Sequence, residues 1–464
     1  MKKYIIRTLI VSVLLFAMLL PVVGCADANI TASESADVAL INANGSASQQ
    51  NQTTEGTVQS EESPSTFASV APIDPATFVD PFISYDCDDG SKLYTYVKKT
   101  ESDFLGVCAY YTSKGYEQYM TADMGGNLSA TYVKGSEMAH IYWHPTRQEL
   151  NLVKSSTAGA TLPPANPAVT DGEYVCSVVQ LQDTKKNNGM GYIIQLKDGS
   201  YIIYDGSYEH QLEKITAYLK STYKGEGLPT IRAWLITHSH ADHIPSFQAF
   251  CKANATTPIA NVECVIAAGL DDKTFPIESE VNNYLSSESF KNDVALLNGR
   301  TGAKIVYAHT GMKFKFCNLN MEILYAPESF FKMTTLNIGN NTASIVSRLY
   351  DENYSALFLG DVTFHASDMM EDIYGDYLKS DMCQMSHHGV ENVRLSFYEL
   401  VQAQILFYPC NKALYENDRH KPVRTALEGK SYTKEILIQS LNQYVRNWGT
   451  VYAENAPLSK PDFS

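Results

Sequence analysis

Ile231-Arg232-Ala233-Trp234-Leu235-Ile236-Thr237-His238-Ser239-His240-Ala241-Asp242-His243 decides how this chain folds. The first six residues form an apolar run that predicts a buried strand. Four potential metal ligands follow at once: His238, His240, Asp242 and His243. In extended or tightly turning backbone, residues two apart face the same way, so His238 and His240 can reach one divalent ion. Asp242 and His243 are left to serve a second. Imidazole with carboxylate suits zinc, and manganese or iron is compatible with the same ligand types. A strand that stops at such a cluster presents its ligands on one rigid edge.

Outward from this stretch the pattern is layered. Strand-like runs cover Tyr174 to Leu181, Gly191 to Leu196 and Tyr201 to Tyr204, the last closing in Asp205-Gly206-Ser207. Helices are expected over Gln211 to Lys220, from Ile244 to Lys252 and over Glu278 to Leu297, with a strand from Val262 to Ala268 and several short strands within Lys304 to Tyr325. Two later apolar runs also end in candidate ligands. Tyr354-Ser355-Ala356-Leu357-Phe358-Leu359 leads into Gly360-Asp361, and Asp381-Met382-Cys383-Gln384-Met385-Ser386 leads into His387-His388-Gly389. Alternating strands and helices predict an α/β architecture.

His-x-His-x-Asp-His after an apolar strand resembles the metallo-β-lactamase superfamily. The resemblance implies an αββα sandwich with metals at one edge of two facing sheets. It further implies that Asp361 bridges two metals and that Asp205 supports the metal loop from behind. The His-His-Gly element is similar to the branch that includes the C-terminal domain of the competence protein ComEC. Asn340-Asn341-Thr342-Ala343-Ser344-Ile345-Val346 and the later Asn411 to Pro422, with Arg419 in place of a glycine, resemble that branch too. The resemblance runs over roughly residues 173 to 430. Where many members carry a histidine four residues before a strand serine, this chain has Asn340, a weak zinc ligand. His309 is the candidate substitute.

The expected ligands are therefore His238, His240, Asp242, His243, Asp361, His387 and His420, for one or two zinc ions with manganese as the alternative. Either His387 or His420 would donate the proton a leaving alkoxide needs, and the other would complete the Asp242/His243 site. His388 is expected to orient its neighbour. A metal-bound hydroxide, formed as the pKa of bound water falls from ~15.7 to about 7, would attack phosphorus or a carbonyl. The ComEC-like elements favour a phosphodiester in a small molecule or single-stranded nucleic acid. A thioester or lactone hydrolase, and a surface lipoprotein that binds metal or ligand without turnover, are the alternatives. His243 counts against a β-lactamase.

The remainder frames this domain. Lys2, Lys3 and Arg7 followed by an apolar run and Val22-Val23-Gly24-Cys25 predict a bacterial lipoprotein signal over residues 1–24, with lipidation at Cys25. That implies an extracytoplasmic protein anchored to a bacterial membrane. Residues 25–75 hold one aromatic and no Lys or Arg, which predicts a disordered tether. The chain carries −15; without the basic leader it carries −18, and the seven acids of the tether leave near −11 for the folded part. That balance opposes binding to duplex DNA, which relies on basic patches. Residues 76–160 predict a small α+β domain, with Gly106 to Tyr111 and Met138 to Trp143 read as strands and His140 and His144 as structural. A Pro-rich linker separates it from the hydrolase domain, 173–464. Free buried thiols account for most cysteines, Cys87 and Cys108 being the one pair to test for a disulfide.

Overall fold

The computed structural model describes residues 70–79, 81–167, 172–268, 284–332, 339–390 and 392–463. Residues 1–24, Cys25, most of the tether and the first residues of the helix expected from Glu278 lie outside them. Among the described residues no helix is long and apolar enough to cross a membrane.

The first sheet is antiparallel. Its strands are β1 (Ile83–Asp86), β2 (Lys92–Val97), β3 (Glu117–Met124), β4 (Asn127–Lys134), β5 (Glu137–His144) and β6 (Glu149–Ser155), in the order β1-β2-β6-β5-β4-β3. Helix α1 (Glu101–Ser113) covers one face. It contains Gly106 to Tyr111, which the sequence predicts as strand. Two local forces win there. Thr100 and Asp103 form a reciprocal capping box, and Phe104, Val107, Cys108 and Tyr111 recur at helical spacing and are buried against the sheet. A continuously apolar hexapeptide hides that period. Cys108 faces this helix–sheet core and Cys87 lies elsewhere; both are free thiols.

Two further sheets follow. One holds β7 (Ser177–Gln180), β8 (Gly191–Gln195), β9 (Tyr201–Asp205), β10 (Thr230–Leu235), β11 (Asn261–Ala267) and β12 (Lys304–Tyr307). The other holds β13 (Lys313–Phe316), β14 (Leu319–Tyr325), β15 (Val346–Tyr350), β16 (Ser355–Phe358), β17 (Met382–Gln384), β18 (Ile405–Tyr408) and β19 (Glu435–Ile438), in chain order. The last strand, β20 (Tyr444–Asn447), returns to pair with β7. Side chains alternate between faces as the two-residue period demands. Ile202 and Tyr204 of β9 and Ala356 and Phe358 of β16 enter a shared core between the sheets, whereas Ile203 and Leu357 face outward. Tyr204 stacks on Phe358 at 4.1 Å between centroids and bonds Ser347 Oγ at 2.8 Å, which joins the sheets.

Helices α2 (Leu212–Thr222), α3 (Pro245–Thr256) and α4 (Glu288–Thr301) cover the outside of the sheet containing β9. Helices α5 (Phe364–Tyr374), α6 (Leu395–Val401) and α7 (Lys421–Glu428) cover the outside of the other. The result is an α/β sandwich in four layers, helix, sheet, sheet, helix. The end of β9 carries Asp205, and the loops after β10, β16 and β17 carry the His238–His243 cluster, Asp361 and the His387-His388 pair.

The first sheet is packed onto this sandwich. Leu93, Met138, Tyr142 and Val153 join the core between the two later sheets. Lys332 Nζ enters a buried socket made by the first sheet, bonding Glu149 at 2.6 Å and Asn151 Oδ1 at 2.7 Å. His140 bonds Thr131 and the Thr310 carbonyl and is structural, as is His144 beside Asn127. His309, the candidate substitute ligand, is used here instead. Its Nε2 lies 3.1 Å from Asp89.

Burial pushes His309 down, but Asp89 and Glu328 outweigh it and raise its pKa to about 10. The charged form is thus favoured in the native state. Its contribution is full below about pH 6.5 and is lost as pH rises through about 10. The gap in urea midpoint between wild type and His309→Gln should narrow over that interval; a gap constant from pH 6 to about pH 10 would refute the assignment.

Candidate metal centre

Asp205 starts the site. It ends β9 at φ 53° and is fully buried. Its carboxylate accepts the Thr237 backbone N–H at 2.7 Å and the Thr237 hydroxyl at 2.8 Å, so the ends of β9 and β10 are tied. The same carboxylate lies 2.8 Å from His243 Nδ1. That contact fixes the ring and turns Nε2 toward the centre. Gly360 closes the other side. Its φ is 55°, and a Cβ there would stand 2.9 Å from the Cβ atoms of both Thr237 and Ser344. Only glycine lets the end of β16 approach the metal loop so closely.

Two three-residue groups result. His238, His240 and Asp361 form one, and Asp242, His243 and His388 the other, with ligand atoms in each lying within 4.8 Å of one another. Asp361 links them. Its Oδ2 is 3.3 Å from His243 Nε2, 3.4 Å from His388 Nε2 and 3.8 Å from His238 Nε2. Asp242 Oδ2 lies 2.8 Å from His388 Nε2. The ring Nε2 atoms of His238 and His243 and the Oδ1 of Asp361 are buried and form no hydrogen bond. Buried polar atoms left so are costly in the absence of another partner.

The electrostatics are those of a cation site. Burial opposes ionisation of Asp361, yet His243 and His388 hold it well below the usual carboxylate range. Burial pushes His388 down, but Asp361 and Asp242 raise it to about 9. Without a cation, protons on the imidazoles balance the clustered carboxylates. Divalent metal displaces such protons. The donor set of imidazole and carboxylate fits zinc, and manganese by its oxygen share.

The structure differs from the sequence reading at the His387-His388 pair. His388, expected only to orient its neighbour, is the one that joins Asp242 and His243, with Nδ1 held by the Pro409 carbonyl at 3.0 Å. His387 points to the open side. Its side chain is 30% exposed and its Nε2 is 4.0 Å from Asp361. Both residues have positive φ, 49° and 61°, so the turn swaps the directions that an extended strand exit would give. His420 is buried at the start of α7 and belongs to neither group among the described residues. Asn340 is buried in the turn Asn340–Ala343, whose next residue, Asn341, reaches His387 Nε2 at 3.3 Å.

Several supporting residues escape a linear reading. Asn188 donates to Asp242 Oδ2 at 2.5 Å and accepts from the Tyr208 hydroxyl. Asn392 donates to the Asp361 carbonyl at 3.3 Å, and Ser344 Oγ accepts the Asp361 N–H at 3.0 Å. The polar doublet Asn187-Asn188 just before the buried strand β8 was the one available signal.

Metal content measured on purified variants should follow this geometry. His388→Ala should lose metal and Asp205→Asn should weaken affinity about 10- to 100-fold, as for other residues that orient ligands, whereas His387→Ala should retain it. Metal lost from His387→Ala but kept by His388→Ala would reverse the assignment.

Residues 187–405 match the family model described as the metallo-beta-lactamase superfamily. No curated protein matches the chain. Among solved structures, the metallo-beta-lactamase fold protein YhfI from Bacillus subtilis is similar at 11% identity and a TM-score of 0.37, over 59% of this chain and 99% of its own. Zn(2+)-bound PqqB from Methylobacterium extorquens is similar at 9% identity and a TM-score of 0.36, over 58% and 99%. Unliganded yeast PDE1 is similar at 12% identity and a TM-score of 0.31, over 57% and 87%. The segment that matches this family model, residues 187–405, contains both His/Asp groups.

Proposed function

We propose that the protein is a metal-dependent hydrolase of phosphodiesters. The observation that carries this reading is the convergence of two His/Asp groups on Asp361 beside a partly exposed histidine, His387, that belongs to neither group. In this reading His238, His240 and Asp361 would hold one divalent ion and Asp242, His243 and His388 the other, with the Asp361 carboxylate between the two groups. Bound there, the ions would supply an ionised water near neutral pH and positive charge opposite the developing oxyanion. The protein's own residues do the rest. Asp205 keeps Nε2 of His243 on the ligand side, Asn188 holds the Asp242 carboxylate, and His387 Nε2 carries the proton to the departing oxygen.

A phosphodiester is favoured because two ComEC-like elements meet at this spot. The Asn340–Ala343 turn reaches His387 through Asn341, so both elements border the side from which a substrate enters. We also propose that residues 76–160 serve as a supporting domain for residues 173–464. The leader and Cys25 support a lipid-anchored protein outside the cytoplasm, with its substrate there.

Residues 76–464 with added manganese or zinc should cleave a labelled single-stranded oligonucleotide. Asp361→Ala should abolish cleavage, and His387→Ala should reduce it by about 10²- to 10⁴-fold, the range of general acid catalysis. Absence of cleavage by a protein that retains its metal would overturn the phosphodiester reading and direct the search to thioesters and lactones.

A further inference from the structure

We propose that Phe364, with Arg394 across its ring, is a ledge on which a base of a single-stranded nucleic acid stacks beside the metal centre. The proposal rests on the phosphodiesterase reading and names its substrate class. Phe364 stands three residues after Asp361, at the first position of α5. The buried stripe of that helix is Ala366, Met369, Met370, Ile373 and Tyr374. That is the i, i+3, i+4, i+7, i+8 pattern of a core-facing helix, and position 364 falls on the opposite side of it. Phe364 is 42% exposed, the one exposed phenylalanine among the described residues from 172 to 463. A phenyl ring placed there adds little to folding.

Its surroundings suit a stacked base. The Arg394 guanidinium carbon lies 5.4 Å from the Phe364 centroid, and the His365 ring lies 4.0 Å from it. Phe330 extends the row, 5.7 Å from His365. Both ends of the ledge are tied to the metal centre. Thr363, its chain neighbour, bonds Thr342 at 2.7 Å, in the turn whose Asn341 reaches His387. Asn392, two residues before Arg394, bonds the Asp361 carbonyl. The ledge therefore borders the side on which His387 is exposed.

Aromatic stacking accepts any base, because every base has a π-face. A base in a duplex is already stacked, so the ledge selects unpaired strands. Arg394 supplies the charge for a flanking phosphate. It now pairs with Asp368 at 2.9 Å, with both side chains largely exposed. Such surface pairs contribute little and exchange readily. Glu371 and Asp372, the other carboxylates on this side of α5, are engaged by Ser396 and Arg147.

The test uses fluorescence anisotropy with a labelled phosphorothioate single strand, which resists cleavage, against an abasic strand of equal length. The wild-type protein should bind the base-bearing strand more tightly. Phe364→Ala should raise its Kd about 10-fold, within the range for loss of one stacked base, and so remove the preference over the abasic strand. Phe364→Trp should keep the preference. Arg394→Gln should weaken both strands alike and flatten the salt dependence. A wild-type protein that does not distinguish the strands, or a Phe364→Ala variant that still does, would overturn the ledge. Preference for bases without cleavage of an ordinary oligonucleotide would support the ledge and refute the hydrolytic reading.

Discussion

The buried carboxylate of Asp205 is the constraint on which the rest of the centre depends. One oxygen takes the Thr237 N–H, and the other takes the Thr237 hydroxyl and faces His243 Nδ1. A carboxylate in such a place is costly unless each lone pair has a partner. Here the partners are the backbone of the neighbouring strand and the ring of a ligand. Strand register and ligand orientation are thereby set by the same contacts, so the chain cannot form the sheet without also aiming His243.

Close approach extends the effect across the sandwich. Gly360 lets the end of β16 reach Thr237, and Asp361 follows with its N–H bound to Ser344. The two sheets meet there because their core is filled by Tyr204 on Phe358 and by the aliphatic rows on either side. The first sheet supports this arrangement from outside. Lys332, in its socket of Glu149 and Asn151, anchors the chain shortly before the Asn340–Ala343 turn. A buried ion pair of this kind adds little net stability, while loss of one partner strands a charge at a cost of about 3–5 kcal/mol. Its effect is to hold the two parts in one relation.

Some of the backbone strain lies at the candidate centre. His387 and His388 both take left-handed backbone conformations that non-glycine residues seldom adopt, and the neighbouring contacts hold them there. Ser386 bonds the Val362 carbonyl, the His387 N–H bonds the Gly360 carbonyl, and Pro409 holds the His388 ring. The turn sends one imidazole to the ligand group and leaves the other at the opening. One histidine inside the cluster and one at its edge are thus obtained from adjacent positions.

The histidine cluster, the apolar strands and the acids at their ends were legible in the sequence because each is a local pattern. Strand periodicity spans a few residues, and ligand spacing within one loop spans six. The same reasoning failed at Gly106 to Tyr111, where every residue is apolar or small and the period that separates helix from strand is hidden until the Thr100–Asp103 cap is seen. It also failed to rank His387 against His388, since which of two neighbours turns inward depends on φ values imposed by Gly360, Val362 and Pro409 from the loops after other strands. Asn188, Asn392 and Lys332 acquired their partners in the same way, across separations that no local pattern encodes. The sequence by itself determined which candidate ligands exist and which strands lead into them. Tertiary structure alone decided which of them converge, because convergence is a distance between chain segments far apart in sequence.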